Sequence, residues 1–228
     1  MKIAVIIPAF NEEKSIGKVI DDIPKHLVDE VIVVNNNSTD KTVEIAEKAG
    51  ATVLFEPFKG YGAACLKGIA YLNGKDFQLV VFMDGDYSDY PGEIEKIIQP
   101  IVEDKYDFVL GSRVLGVREK GALPLQSQLG SIIAGILIRI FWKVKYTDLG
   151  PFRAIKYNSL IDLNMKDKWF GWTVEMQIKA AKKNLRTIEI PVKYRKRIGK
   201  SKVTGTVKGT VMAGIIIIKT IFSELFKD

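Results

Sequence analysis

The sequence predicts an α/β fold: a mostly parallel central sheet with helices on both faces. Short apolar, β-branched runs recur at KIAVIIP, EVIVVNN, TVLFEP and QLVVFMDG, and helical periodicity fills the intervals between them, as in Glu12 to Ile23 and Thr42 to Ala49. That alternation is the signature of βαβ units. Runs so uniformly apolar suit strands covered on both faces, as parallel strands are. Polar clusters follow three of them: Pro8-Ala9-Phe10-Asn11-Glu12 after the first, Asn35 to Asp40 after the second, and Asp84-Gly85-Asp86 after the fourth. All three fall at one edge of the sheet, the carboxyl edge where such folds bind ligands.

Beyond about Arg113 the pattern changes. SQLGSIIAGILIRIFWKV reads as a long apolar helix, the stretch from Val174 to Lys183 as an amphipathic one, and RTIEIPVKYRKR as a strand. The last stretch has an apolar core near Val211 to Ile218, interrupted by Lys219 and too short for a membrane span of ~20 residues. On a helical wheel Lys208, Lys219, Thr220, Ser223 and Lys227 share one side with the apolar residues opposite, which suits either packing on the domain or lying in a bilayer interface. The expected organisation is one domain over 1–204, in two halves (1–112 and 113–204), and an amphipathic helical extension over 205–228.

The composition, 47% hydrophobic and 27% charged over 228 residues, excludes extended disorder. The one cysteine, Cys65, cannot form an internal disulfide, and the opening MKIAVIIPAF enters a strand without signal-peptide architecture, so the reading is cytoplasmic. A net charge of +7 points to anionic partners. The excess gathers late: KYRKRIGKSK, from Lys193 to Lys202, carries six cations and no acid.

Asp84 and Asp86 at a strand end would repel one another unless a cation or hydrogen bonds compensated them. Mg²⁺ and Mn²⁺ bind through one or two carboxylates plus substrate phosphates, so the pair reads as a metal bridge to a diphosphate, with Gly85 admitting the ligand. Asp-x-Asp also occurs in ordinary turns. Asn35 and Asn36 offer amides to a nucleoside or form an Asx turn, and Asp40 reads as a helix cap. In KGYGAACLKG, Lys59 and the amides around Gly60 can meet phosphate or merely open a helix. Trp169, Phe170 and Trp172 read as core or as the lip of a groove, His26 as surface, and Glu175 as favouring its helix dipole.

The succession PAFNEE, NNNSTDKT, KGYGAA, MDGDYSDYPGEI, GSR, DLGPFRAI and GKSK resembles the family 2 inverting glycosyltransferases of the dolichyl- or polyprenyl-phosphate sugar synthase type. The resemblance runs over nearly the whole chain. It implies the nucleotide-diphospho-sugar transferase fold, GT-A, with 1–112 as the nucleotide-sugar half and 113–204 as the acceptor half. It also implies Mg²⁺ or Mn²⁺, a UDP- or GDP-hexose donor and a polyprenyl (dolichyl or undecaprenyl) phosphate acceptor. The matching positions put Pro8, Ala9, Asn11 and Glu12 around the nucleotide, and Asn35 and Asn36 where the family usually has an Asp pair at base and ribose. Asp84 and Asp86 match the metal-binding pair, and Arg113 and Arg153 match positions near phosphates. Where the family often carries another arginine, this chain has Gln126 and Gln128.

Negative charge builds on the leaving diphosphate as the sugar departs, and a metal on Asp84 and Asp86 would stabilise it. A polyprenyl phosphate is already anionic and needs cationic positioning more than a base; Arg113, Arg153, Lys200 and Lys202 are the candidates. An alcohol acceptor would call on Asp89 or Asp148, although Asp89 is read first as a cap of the helix at Pro91. A soluble acceptor is the nearest rival. A dehydrogenase is excluded, since PAFNEE lacks the glycine fingerprint. Nucleic acid is not expected as a partner, because KYRKRIGKSK has only Tyr194 among its cations and the acidic edge repels phosphate. A silent basic scaffold at a membrane, and a peripheral position on the membrane's inner face, complete the expectations.

Overall fold

In the computed structural model, which describes residues 1–199, 201 and 207–227, the apolar runs form one seven-stranded sheet. Strands β1 (Ile3–Ala9), β2 (Glu30–Asn35), β3 (Thr52–Phe55) and β4 (Leu79–Phe82) are joined by helices α1 (Ile16–Asp21), α2 (Thr42–Lys48) and α3 (Tyr61–Tyr71). These four strands run parallel in the order β3-β2-β1-β4. A 3₁₀ turn (Pro91–Glu93) and α4 (Ile94–Val102) lead to β5 (Phe108–Ser112). The chain continues through α5 (Leu125–Trp142), β6 (Arg153–Lys156), α6 (Tyr157–Asp162), α7 (Trp172–Lys182), β7 (Thr187–Pro191) and α8 (Val207–Leu225). β6 lies antiparallel between β4 and β5, and β7 closes the edge parallel to β5. The sheet is thus mostly parallel, as expected, with one reversed strand beside β4.

The pleat divides the core into two layers. Ala4 and Ile6 of β1 face α3 and α7 with Val80, Phe82 and Trp172, while Val5 and Ile7 face α1 and α4 with Val81, Ile16 and Ile97. α4 shows why such helices form where they do: Ile94, Ile97, Ile98 and Ile101, at i, i+3, i+4 and i+7, are all buried. Trp172 is fully buried against Phe82, ring centroids 4.7 Å apart, so it belongs to the core.

α5 is long and apolar enough to cross a membrane by length and composition, with a mean hydropathy of 1.3, yet it lies on the domain. Its Ser131, Ala134, Gly135 and Ile138 are buried, and a Cβ on Gly135 would come within 2.5 Å of the Tyr146 carbonyl. α8 packs beside α5 and on α7 through Ala213 and Ile221. The wheel put its polar residues together, opposite the apolar ones, but the structure turns Thr220 inward to Asp167 and buries Glu224 beside Lys182 and Lys227. Those inward polar groups find partners, and Val211, Ile215 and Phe222 are left exposed.

The start of α3 docks on the loop before α7: the amides of Gly62 and Ala63 donate to the carbonyls of Trp169 and Lys168. A Cβ on Gly62 would meet the Asp167 carbonyl oxygen at 2.1 Å. Gly62→Ala is therefore expected to lower stability by about 2 kcal/mol in urea unfolding, as overpacking against backbone does. A loss below about 0.5 kcal/mol would show that this docking does not constrain the fold.

Candidate active site

β1 and β4 end beside one another, and a cavity of about 510 Å³ opens at their carboxyl edge. One wall is built from Pro8, Ala9, Phe10 and Glu12 after β1, with Asn36, Lys59, Gly60 and Tyr61. The floor carries Asp84, Gly85 and Asp86, with Arg113, Tyr194 and Arg197 close by. The far wall comes from the second half of the chain: Leu123, Gln126, Gly130 and Ser131 at α5, Trp169 and Phe170 before α7, and Ala213 and Ile217 of α8. Of the three aromatics read as core or lip, Trp169 and Phe170 line the cavity.

The floor is dominated by carboxylates. Asp86 is 2% exposed, accepts the Ser88 amide at 2.8 Å and is ion-paired with the Arg197 guanidinium. Asp84 lines the same floor, and burial, then the Asp86 and Asp89 charges, pushes its carboxyl well above the usual range. Asp89 is buried as well. Its Oδ2 accepts the Asp84 amide at 3.3 Å, so it turns back to the end of β4 and does not cap the Pro91 turn as expected. Burial, then Asp86, raises its carboxyl to about 7. Three buried polar atoms at the site lack a protein partner: Tyr61 Oη, Asp89 Oδ1 and Arg197 Nε. Buried polar atoms are normally paired, so the site has bonding capacity that the protein leaves unused.

The donor set fits a divalent cation. Oxygen ligands stand together at a strand end, one of them already holds a cationic guanidinium, and Asp84 beside it has no such partner among the described residues. Among the described residues no group of three or more His, Cys, Asp or Glu side chains could hold a metal by itself, so ligands from a substrate would complete the shell.

Several expected residues take other work. Arg153 is fully buried and absent from the cavity lining. Its guanidinium donates to the carbonyls of Leu149, Gly150 and Thr173, so it braces the turn before β6 and cannot meet phosphate as expected. Arg113 does line the cavity, but its Nε and Nη2 bind the two Asp148 oxygens, each at 2.7 Å. Burial pushes the Asp148 carboxyl up, Arg113 outweighs it, and the net position is below the usual carboxylate range. Asp148, expected as a possible base, is therefore a partner for Arg113.

The polar loops are likewise tied to the protein. Asn35 Oδ1 accepts the amide of Ser38, three residues on, at 2.8 Å, which ties the loop after β2 to the strand end. Asn36, which lines the cavity, donates to the carbonyls of Glu56 and Phe58 and accepts the Gly60 amide, pinning the 56–60 loop to β2. Asn11 accepts the Thr39 amide at 2.7 Å, and Asp40 accepts that of Thr42, the first residue of α2. With the amides of Gly60, Gly62 and Ala63 all donated within the protein, Lys59 is the phosphate candidate left in this loop. A Cβ on Gly85 would meet Ile7 and Ile16 at 3.4 Å, ordinary contact, so the cavity does not need that glycine for space. Glu175 accepts the Lys166 and Asp167 amides and holds the loop that carries Trp169.

Sequence reasoning missed Tyr61, Phe10 and Arg197. Arg197 had a signal, since it sits in the basic run, but Lys200 and Lys202 were preferred there, and both lie outside the described residues. The run crosses the acidic floor: the Arg195 amide donates to the Ser88 carbonyl, that of Ile198 to the Asp86 carbonyl, and the Arg195 guanidinium stacks 3.3 Å from the Tyr87 ring.

Known proteins resemble this chain in sequence and in fold. The family model described as Glycosyl transferase family 2 matches residues 4–163. A dolichyl-phosphate hexose transferase of Haloferax volcanii is 31% identical, over 97% of this chain and 95% of its own. The UDP-N-acetylglucosamine--dolichyl-phosphate N-acetylglucosaminyltransferase of Methanococcus voltae is 29% identical, over 84% of each. The crystal structure of Mycobacterium tuberculosis glucosyl-3-phosphoglycerate synthase in complex with Mn²⁺, UDP and glucosyl-3-phosphoglycerate superposes with a TM-score of 0.76 at 22% identity, over 98% of this chain and 79% of that one, which speaks for the fold. With the sheet, the acidic floor and the family match in agreement, the chain is a glycosyltransferase of GT-A fold and belongs to glycosyl transferase family 2.

Proposed function

We propose that this chain moves a hexose, with inversion, from a UDP- or GDP-sugar to a polyprenyl phosphate, using Mg²⁺ or Mn²⁺ held by Asp84 and Asp86. The observation that carries this reading is the under-compensated acidic floor of a cavity whose far wall is apolar. The relatives named as dolichyl-phosphate transferases support the acceptor, and the relative named for UDP-N-acetylglucosamine, together with the UDP-bound synthase, supports the donor. When bound, the metal would supply positive charge to the departing diphosphate.

The chain's own residues do the rest. Pro8, Ala9, Phe10 and Glu12 form the wall against which the nucleotide would lie, with Lys59 supplying a cation there. Arg197, ion-paired with Asp86, offsets part of the floor's charge and lines the cavity, where it is placed to meet phosphate once another cation takes Asp86. Arg113, held rigid by Asp148, presents positive charge at the same floor without rotamer freedom to lose. An anionic acceptor oxygen needs no base, so charge placement is the main catalytic contribution.

A soluble alcohol acceptor is the second reading, favoured by Asp89, a buried carboxylate with one unpartnered oxygen beside the floor. Incubation with UDP- and GDP-sugars and either a polyprenyl phosphate or small hydroxylated phosphates separates the two. Transfer to the lipid phosphate alone is expected, and transfer only to an alcohol would reverse the assignment.

Chelation is expected to abolish turnover, and Asp86→Ala to lower it at least about a hundredfold with an unchanged unfolding transition. Full activity in that variant would remove the metal assignment. Arg197→Ala is expected to tighten Mn²⁺ binding by the donor-free protein about fivefold, read by electron paramagnetic resonance, because a competing cation leaves Asp86. Unchanged Mn²⁺ affinity would show that Arg197 and the metal do not compete.

A further inference from the structure

The outer surface of α5 and α8 has no counterpart in the reaction chemistry. Leu125, Leu129, Ile132, Ile136 and Ile140, at i, i+4, i+7, i+11 and i+15, form one stripe of α5, and each is more than half exposed. Val211, Ile215, Ile218 and Phe222 form a parallel stripe on α8 and are also exposed. The two helices pack against each other, with Phe141 and Phe222 ring centroids 6.0 Å apart, and both rest on α7. Their outward faces therefore make one continuous apolar surface. A soluble monomer rarely shows so large a patch without a partner.

Two further observations say what the partner is. The first is charge: Arg139, Lys143 and Lys145 are exposed at the carboxyl end of α5, Lys219 is exposed on α8, and α5 has no acid at all. The one acid of α8, Glu224, is buried with Lys182 and Lys227. A shallow groove on α5 is lined by Ile136, Arg139, Ile140 and Lys143, which sets cations beside aliphatic groups as an anionic lipid does with its headgroup and chains. A second copy of the chain is a poor fit, since a twofold contact would bring cation against cation with no acid to answer them. The second observation is continuity: the inner edges of these helices, Gly130 and Ser131 of α5 and Ala213, Gly214 and Ile217 of α8, line the cavity that holds Asp84 and Asp86. The apolar surface and the cavity wall are two sides of one helix pair.

We infer that the α5–α8 face docks on an anionic lipid bilayer, so that the cavity opens at the membrane surface. The apolar stripes enter the headgroup boundary, Arg139, Lys143, Lys145 and Lys219 meet the anionic headgroups, and a prenyl chain leaving the cavity along the α5–α8 seam passes directly into lipid. The path of the prenyl chain rests on the acceptor proposed above; the docking itself does not.

Vesicle co-sedimentation of the full chain tests this without donor or acceptor, using phosphatidylcholine alone and phosphatidylcholine mixed with phosphatidylglycerol. The expected result is binding to the mixed vesicles, weakened about tenfold in high salt and by Arg139→Gln with Lys143→Gln, and weakened at least tenfold by Ile132→Ser with Ile136→Ser and Ile215→Ser. A wild-type chain that stays in solution with the anionic vesicles overturns the inference. So does a wild-type dimer in analytical ultracentrifugation that becomes monomeric in the serine variant, because a second copy then covers the face. Transfer to a short, water-soluble prenyl phosphate keeps the two proposals apart, and its rate is expected to be the same in the serine variant. Vesicle binding without such transfer would overturn the acceptor and support the docking face, whereas transfer without vesicle binding would overturn the docking face alone.

Discussion

Three carboxylates, Asp84, Asp86 and Asp89, crowd the carboxyl end of β4, and among the described residues the cations beside them do not offset that crowding, so the carboxyls of Asp84 and Asp89 are pushed up. Burial makes that crowding costly, because the low dielectric strengthens repulsion and removes the water that would screen it. A folded chain keeps such a cluster only if something else gains from it, and under the proposed function the gain is affinity for a cation and for the diphosphate that comes with it. Arg197 answers part of the charge on Asp86, and among the described residues Asp84 has no equivalent.

The rest of the fold can be understood as support for this imbalance. β1 and β4 are adjacent strands inside the sheet, buried on both faces, and the acidic floor stands at their ends. The reversed strand β6 brings the turn at 148–152 beneath the floor, where Arg153 ties down three carbonyls and Asp148 orients Arg113. Buried charge is thus arranged in two ways: paired and hydrogen-bonded where it builds structure, and less fully compensated where the proposed function places ligand. The basic 194–198 segment crosses the floor by backbone hydrogen bonds to Asp86 and Ser88, which couples the end of the domain to its catalytic edge.

Much of this was legible in the sequence. The first four strands were apolar on both faces and punctuated by polar clusters, and that pattern alone placed Asp84 and Asp86 at the ligand edge. β5 and β6 were harder, because FVLGS and RAIK are short and RAIK begins with an arginine that reads as surface or site. Burial of Arg153 depends on carbonyls from Leu149, Gly150 and Thr173, a long-range arrangement with no local signature. For the same reason the Arg113–Asp148 pair, 35 residues apart, was invisible, and Asp148 looked available as a base. Asn35 and Asn36 were ambiguous between ligand contact and loop bracing, and the bracing depends on the 56–60 loop, whose approach to Asn36 has no local signature. The polar face drawn on the α8 wheel holds for Lys219, Ser223 and Lys227, which are exposed, and departs at Thr220, drawn inward by Asp167, a partner that no helical wheel contains.

The assignment of the acidic floor is tested most directly by anomalous scattering at the manganese edge, on crystals soaked with MnCl₂ and UDP or GDP. A peak between the Asp84 and Asp86 carboxylates, in contact with the diphosphate, is the expected result. A manganese peak bound elsewhere, with a diphosphate seated away from those two carboxylates, would contradict it.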